Sequence, residues 1–352
     1  MTAKRKRIIL SIDGGGARAL LPLRVLEALQ HRLMAQGKTK PLHAYFDLVC
    51  GTSTGGMIAA GLCAPKPDED ALGIPALDLV ELRGFFEDET RELYISGHNS
   101  KLTRMIKQPF GQFNKALQER PTEKLLKQRI GWSSVASSLT GIVLPAYDVA
   151  ARRLVLMSNE RPASEGSYND YYFWQAVRAT TAAPSWFEPA RVENLATGEE
   201  HVMIDPSPFL NDPVMIAYAE ARKRGWEPED LVIVSLGTGN PTNQGFPFTE
   251  VSSWSSGTWM SPEKGVPLLS FLIDGQTRAK GVEASALLAD IAGLEYHRIT
   301  TDLPEGLADF HDPRPRYMSQ LNEVAEQMIR DHGGELDALA QKIEERADGP
   351  GY

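Results

Sequence analysis

Gly51-Thr52-Ser53-Thr54-Gly55-Gly56 sets a serine among small residues directly after the strand-like run Phe46-Asp47-Leu48-Val49-Cys50. The Gly-x-Ser-x-Gly spacing is that of a nucleophile elbow, where Gly51 and Gly55 let the chain turn sharply from strand into helix and leave the Ser53 hydroxyl exposed at the bend. Alone the pattern is weak, because glycine and serine are abundant in any chain. A second feature gives it weight. Upstream, Ile8-Ile9-Leu10-Ser11-Ile12 runs into Asp13-Gly14-Gly15-Gly16-Ala17-Arg18, and the leucine-rich stretch that follows has helical spacing. Backbone amides at the mouth of a helix attract negative charge. The pair therefore reads as an oxyanion loop, Gly14, Gly15 and Gly16, facing the nucleophile Ser53, which is the equipment of acyl transfer. Arg18 either binds a phosphate or braces the loop through a local ion pair, and bracing is favoured.

A serine nucleophile needs a base, commonly histidine oriented by a carboxylate. The chain order Ser, Asp, His points to His297 or His311, neither in a distinctive setting. Another candidate is Asp205, delivered at the carboxyl end of the apolar run His201-Val202-Met203-Ile204, the edge where open α/β sheets bind ligands. Residues Gly14 to Ala19 also fit the Gly-x-Gly-x-x-Ala of a dinucleotide site. That reading needs an acidic residue ending the next strand, where Cys50-Gly51-Thr52-Ser53 stands instead, and it is set aside.

The elements that must position these residues alternate. Strand-like runs at 141–147, 153–157, 201–204 and 231–236 are separated by helical patterns at 171–181 and 213–224, which argues for an α/β fold: a three-layer α/β/α sandwich on a mostly parallel sheet. Between 64 and 130 the pattern is charged and less regular, either a lid or helical insertion or a plain surface layer of helices. A Ser, Gly and Pro-rich loop over 239–264 carries Phe246, Phe248, Trp254, Trp259 and Met260. So many large apolar side chains mark either a lipid or partner surface or packing over the domain edge. Residues 264–347 read as helical cover, and the whole chain, 1–352, as one domain with its motifs between about 8 and 240.

With 352 residues, 42% of them apolar, the chain can bury a substantial core, and its formal charge of −9 gives no attraction to nucleic acid. Lys4-Arg5-Lys6-Arg7 is read as a solvated tail, with an electrostatic membrane contact as the alternative. The apolar run behind it stops at Asp13, too short for a signal peptide or a span, so a soluble cytoplasmic protein is expected. Cys50 and Cys63 are the two cysteines, read as buried reduced thiols.

These residues carry a resemblance. The chain resembles bacterial patatin-like phospholipases, of the patatin and cytosolic phospholipase A2 type. Asp13-Gly14-Gly15-Gly16-Ala17-Arg18 is similar to that family's oxyanion motif, and Gly51-Thr52-Ser53-Thr54-Gly55-Gly56 to its nucleophile motif. Ala179 to Phe187 resembles a segment bordering the site. Ile204-Asp205 with Asn211-Asp212-Pro213 resembles the strand and helix start around the family aspartate, and Ser235 to Gly239 a later strand end. The resemblance implies a serine–aspartate dyad, Ser53 and Asp205, that cleaves acyl esters of glycerophospholipids without catalytic histidine, metal or cofactor. The chemistry of such a substrate, with the apolar loop, also suggests transient contact with a membrane surface, peripheral to a cytoplasmic location. A thioesterase or acyltransferase on soluble acyl carriers is the alternative enzyme. A latent effector switched on by a small molecule, such as a nucleotide-gated phospholipase, is the alternative of another kind. Two positions depart from the family pattern. Ala19 stands for a glycine, and Pro206-Ser207 for Gly-Gly or Gly-Ala, where proline removes an amide donor and is expected to alter how Asp205 is aimed.

Overall fold

The run Leu231-Val232-Ile233-Val234-Ser235-Leu236 is buried at every position, as a strand covered on both faces must be. The computed structural model describes residues 5–67, 73–89, 121–160, 169–242, 245–261, 264–310, 312 and 314–344. Its strands are β1 (Arg7–Ile12), β2 (Leu48–Gly51), β3 (Gly141–Asp148), β4 (Arg153–Ser158), β5 (Ala190–Glu193), β6 (Glu200–Ile204), β7 (Leu231–Leu236), β8 (Asn240–Pro241), β9 (Glu295–Ile299) and β10 (Asp302–Leu303). The main sheet has the order β5-β6-β3-β2-β1-β7-β9 with β4 paired to β3, while β8 and β10 pair with each other. Strands β3, β2, β1, β7 and β9 are mutually parallel; β4, β5 and β6 join antiparallel.

Helices cover both faces. The longer ones are α1 (Leu20–Ala35), α2 (Thr54–Cys63), α3 (Leu79–Gly84), α4 (Pro121–Ile130), α5 (Phe173–Thr180), α6 (Val214–Lys223), α7 (Pro267–Ala289), α8 (Pro315–Asp331) and α9 (Gly333–Lys342). Alternation along β1 divides the core. Ile8, Leu10 and Ile12 pack with α1, α2, α5, α8 and α9, whereas Ile9 packs with α6 and with Ala284 and Leu288 of α7. That is the expected three-layer sandwich.

The long strand β3 sets up the site. Its edge along Val143–Asp148 is taken by β4, so β2 and β6 share the other edge from opposite directions. Strand β2 runs parallel to β3 as far as the pair Cys50 and Val143; β6 runs antiparallel and stops at the pair Ile204 and Tyr147. Between them only Leu144, Pro145 and Ala146 of β3 are uncovered on that edge. The two strands thus end facing each other, and the residues just past each end meet.

Two expectations change. The basic run is not a solvated tail over its described residues: Arg5 donates to both carboxylate oxygens of Asp47 at 3.0 Å, Lys6 pairs with Glu295 at 2.7 Å, and Arg7 stacks over Trp226. Those charges are spent on the fold. The C-terminal cover is not all helical, because β9 extends the sheet beyond β7. Within 64–130, residues 68–72 and 90–120 lie outside the described residues, and the described ends pack Leu82, Phe85, Phe86, Leu126 and Ile130 into the main core. Cys50 and Cys63 are buried and unpaired.

Candidate active site

Strand β2 ends at Gly51 and α2 begins at Thr54, so Ser53 carries the whole change of direction, with φ 54° and ψ −125°. A side chain at either flanking glycine would block the turn. A Cβ on Gly51 would lie 2.3 Å from the Gly55 carbonyl oxygen, and one on Gly55 would lie 2.4 Å from that of Ile12. The strained serine is held by its amide, which donates to Thr180 Oγ1 at 2.9 Å. Its hydroxyl stands at the positive end of α2.

Asp205, one residue past β6, meets it. Ser53 Oγ donates to Asp205 Oδ2 at 2.6 Å. The other carboxylate oxygen accepts from the Ser207 hydroxyl at 2.6 Å and the Ser207 amide at 2.9 Å, and the Asp205 amide is tied to the Ala182 carbonyl at 3.1 Å. The departure at Pro206-Ser207 therefore supplies two donors that aim the carboxylate at Ser53. Burial pushes the Asp205 carboxyl up to about 6, against the opposing pull of the Ser207 and Ser53 hydrogen bonds.

The glycine loop divides its labour. The Gly14 amide donates to the Asn211 carbonyl at 3.1 Å, so it is not available to an oxyanion and the expected set of three shrinks. The Gly14 carbonyl accepts from Asn211 Nδ2 at 3.0 Å and Thr238 Oγ1 at 2.7 Å. Gly14 is thus an anchor. Gly15 and Gly16 line the cavity, and their amides have no hydrogen-bond partner among the described residues. Gly16 must be glycine, with φ 56° and the Phe310 carbonyl oxygen 2.1 Å from where a Cβ would stand. Ala19, buried in the turn that leads into α1, fits without a glycine.

Arg18 braces. Its guanidinium lies 3.8 Å from the centroid of the Phe310 ring and donates to Asp274 of α7 at 3.1 Å. At the foot of the loop, Asp13 takes both arms of Arg298 from β9, at 3.0 and 2.6 Å, and Arg298 also reaches Asp212 at 3.5 Å. Burial pushes the Asp13 carboxyl up to about 7, and Arg298 pulls the other way. His297 is turned elsewhere, with Nδ1 2.8 Å from Glu335 on α9. His311 lies outside the described residues. Among the described residues no histidine lines the cavity around Ser53.

That cavity holds only about 50 Å³ and is walled mainly by Met57, Trp186, Phe187, Leu269, Ile273 and Phe310. It is an apolar slot around a serine, a carboxylate and two unused amides, the surroundings of an acyl group. The patatin-like phospholipase family model matches residues 10–218. The chain belongs to the patatin-like phospholipase family. Patatin-like protein 2 of Arabidopsis thaliana is 26% identical over 323 residues, covering 85% of this chain and 76% of that protein. Patatin-like protein 1 of Oryza sativa subsp. indica is 26% identical over 344 residues, covering 91% and 80%. VipD from Legionella pneumophila matches at TM-score 0.39 and 13% identity over 94% of this chain and 68% of that one, too loosely to argue from.

Membership of the patatin-like phospholipase family implies lipid acyl hydrolase activity. The matched span contains Ser53, Asp205 and the glycine loop but stops before Asp274, Arg298 and Phe310, which brace that loop from the C-terminal third. Sequence reasoning did not find Thr180, Arg298 or the bracing role of Ser207. An arginine in a strand run, Glu295-Tyr296-His297-Arg298-Ile299, was the available signal for Arg298.

Proposed function

We propose that the protein hydrolyses ester-linked acyl chains of glycerophospholipids, with Ser53 as nucleophile and Asp205 as its base. The observation that carries this reading is the 2.6 Å hydrogen bond from Ser53 Oγ to Asp205 Oδ2, at the bend of an elbow, beside the unused amides of Gly15 and Gly16. Ser53 Oγ attacks the ester carbonyl carbon as Asp205 takes its proton. The oxyanion that forms is held by the Gly15 and Gly16 amides. As the carbonyl re-forms, the ester C–O bond breaks and Asp205 returns the proton to the leaving lysolipid oxygen. Water then attacks the acyl-serine, giving a proton to Asp205; the fatty acid leaves and the proton goes back to Ser53 Oγ. A carboxylate with its proton affinity raised to about 6 is a better base than an ordinary aspartate. Phosphatidylcholine vesicles are the test substrate. Fatty-acid release is expected from wild type, His297→Ala and His311→Ala and lost, by at least ~1000-fold, in Ser53→Ala and Asp205→Asn. Loss in a histidine variant sinks the dyad. Preference for a soluble acyl thioester over vesicles moves the substrate to acyl carriers.

A further inference from the structure

Helix α7 has two apolar faces with different fates. Leu269 and Ile273 are buried and wall the slot over Ser53. Leu268, Phe271 and Leu272, spaced to share the neighbouring face, are exposed, each by more than 40%. The loop before α7 adds to that face. Phe246, Trp254, Trp259 and Phe271 stack edge to face in a chain with centroids 4.7 to 6.1 Å apart, which fixes the loop onto the helix. Phe248, two residues after Phe246, is 84% exposed, and Met260, following Trp259, is exposed too. Burying these side chains elsewhere would gain ~1.5 to 3 kcal/mol each, so their shared exposure marks a docking surface. Beside it opens a cleft of about 660 Å³ of mixed charge, lined by Phe246, Phe271, Lys264, Arg278, Asp274 and Asp309, in which Lys264 is already paired with Glu250 at 2.7 Å. Arg278 is exposed and has no hydrogen-bonded acceptor among the described residues.

We propose that this face, Phe248, Met260, Leu268, Phe271 and Leu272, seats the protein on a phospholipid bilayer, with Arg278 meeting a headgroup phosphate. Exposed apolar and aromatic side chains with an arginine at their rim suit a bilayer's boundary between acyl chains and headgroups. The occupant follows from continuity and charge. The exposed face and the slot wall are adjacent stripes of one helix, so a surface seated on the first lies next to the mouth of a site proposed above to take lipid esters. Arg278 matches a headgroup phosphate, while a chain carrying −9 overall favours a zwitterionic bilayer over an anionic one. The proposal rests on that lipid reading for its choice of occupant.

The experiment is flotation of full-length Ser53→Ala protein, which leaves lipid uncut, with phosphatidylcholine vesicles. Expected is co-flotation, weakened at least ~10-fold by adding Phe248→Ser, Leu268→Ser and Leu272→Ser together, and weakened less by Arg278→Gln. Circular dichroism melting checks folding, and the single Phe248→Ser variant, at the most exposed position, stands in should the triple variant unfold. Absence of flotation, or equal flotation of these variants, overturns the proposal. So does a dimer that the substitutions dissociate while vesicles are ignored, since the face would then hold a second copy. Hydrolysis of a water-soluble ester by wild type without flotation overturns the docking surface and leaves the hydrolase. Flotation without hydrolysis of any ester does the reverse.

Discussion

Three donors act on the Asp205 carboxylate, one from Ser53 and two from Ser207, while burial acts against its charge and wins. Two expectations follow from that balance. As the base proposed above, Asp205 would work only when ionised, so kcat/KM on a soluble ester should fall tenfold per pH unit below about 6 and level off above it. Ser207→Ala removes a hydrogen bond to the charged form and should move that limb to higher pH; a limb near pH 4 in the wild type would contradict the assignment. The same shift is a statement about stability. Asp205 is raised from 3.8 to about 6, so the folded state holds its proton more tightly than the unfolded chain, and this contribution is complete below pH 4 and lost as pH rises through 6. Asp205→Asn carries no such penalty, and urea unfolding should find it more stable than wild type by ~2 kcal/mol at pH 8, with the gain gone at pH 4. Ser53 and Asp205 were legible because each sits at a strand end in a distinctive run. The loss of Gly14 as an amide donor was not, since it depends on the Asn211 carbonyl, which only the tertiary fold brings to it.

At the scale of elements, the site exists because β2 and β6 end against each other on one edge of β3. That approach leaves no room at the elbow. Gly55→Ala would set a methyl 2.4 Å from the Ile12 carbonyl oxygen and 2.5 Å from that of Asp13, both backbone atoms of β1 and the turn after it. Because neither neighbour is a flexible side chain, the strand must shift. The variant should lose ~1 to 3 kcal/mol by chemical denaturation and most of its activity, as Ser53 and the glycine loop move apart. Full stability in Gly55→Ala would show the elbow to be looser than drawn. Strands β1, β3 and β7 could be read from the sequence because central strands are nearly continuous apolar runs. β5 and β9 could not: Ala190-Arg191-Val192-Glu193 is too short, and Glu295-Tyr296-His297-Arg298-Ile299 is only half buried, so its pattern is not that of a core strand.

Across the whole molecule, one guanidinium joins three distant stretches of chain. Arg298 on β9 binds Asp13 after β1 and Asp212 before α6, with no exposed side chain among the three. The sequence displayed Asp13 and Asp212 inside family motifs and hid the cation they share, which lies past the matched span in a region read as helical cover. Two carboxylates buried around one arginine are costly to leave unpaired, because each loses its hydration and they repel each other. Arg298→Met should therefore destabilise the protein by ~3 to 5 kcal/mol, measured by denaturant unfolding near pH 8, above the value of about 7 to which the Asp13 carboxyl is pushed. Adding Asp13→Asn removes one of the stranded charges and should recover part of the loss, a non-additivity of at least ~1 kcal/mol in the double-mutant cycle. Because Asp13 starts the loop that ends in the Gly15 and Gly16 amides, the single variant should also lower kcat on a soluble ester more than it raises KM. Additive stability effects, or an unaltered kcat, would mean that the C-terminal third covers the sheet without holding the oxyanion loop in place.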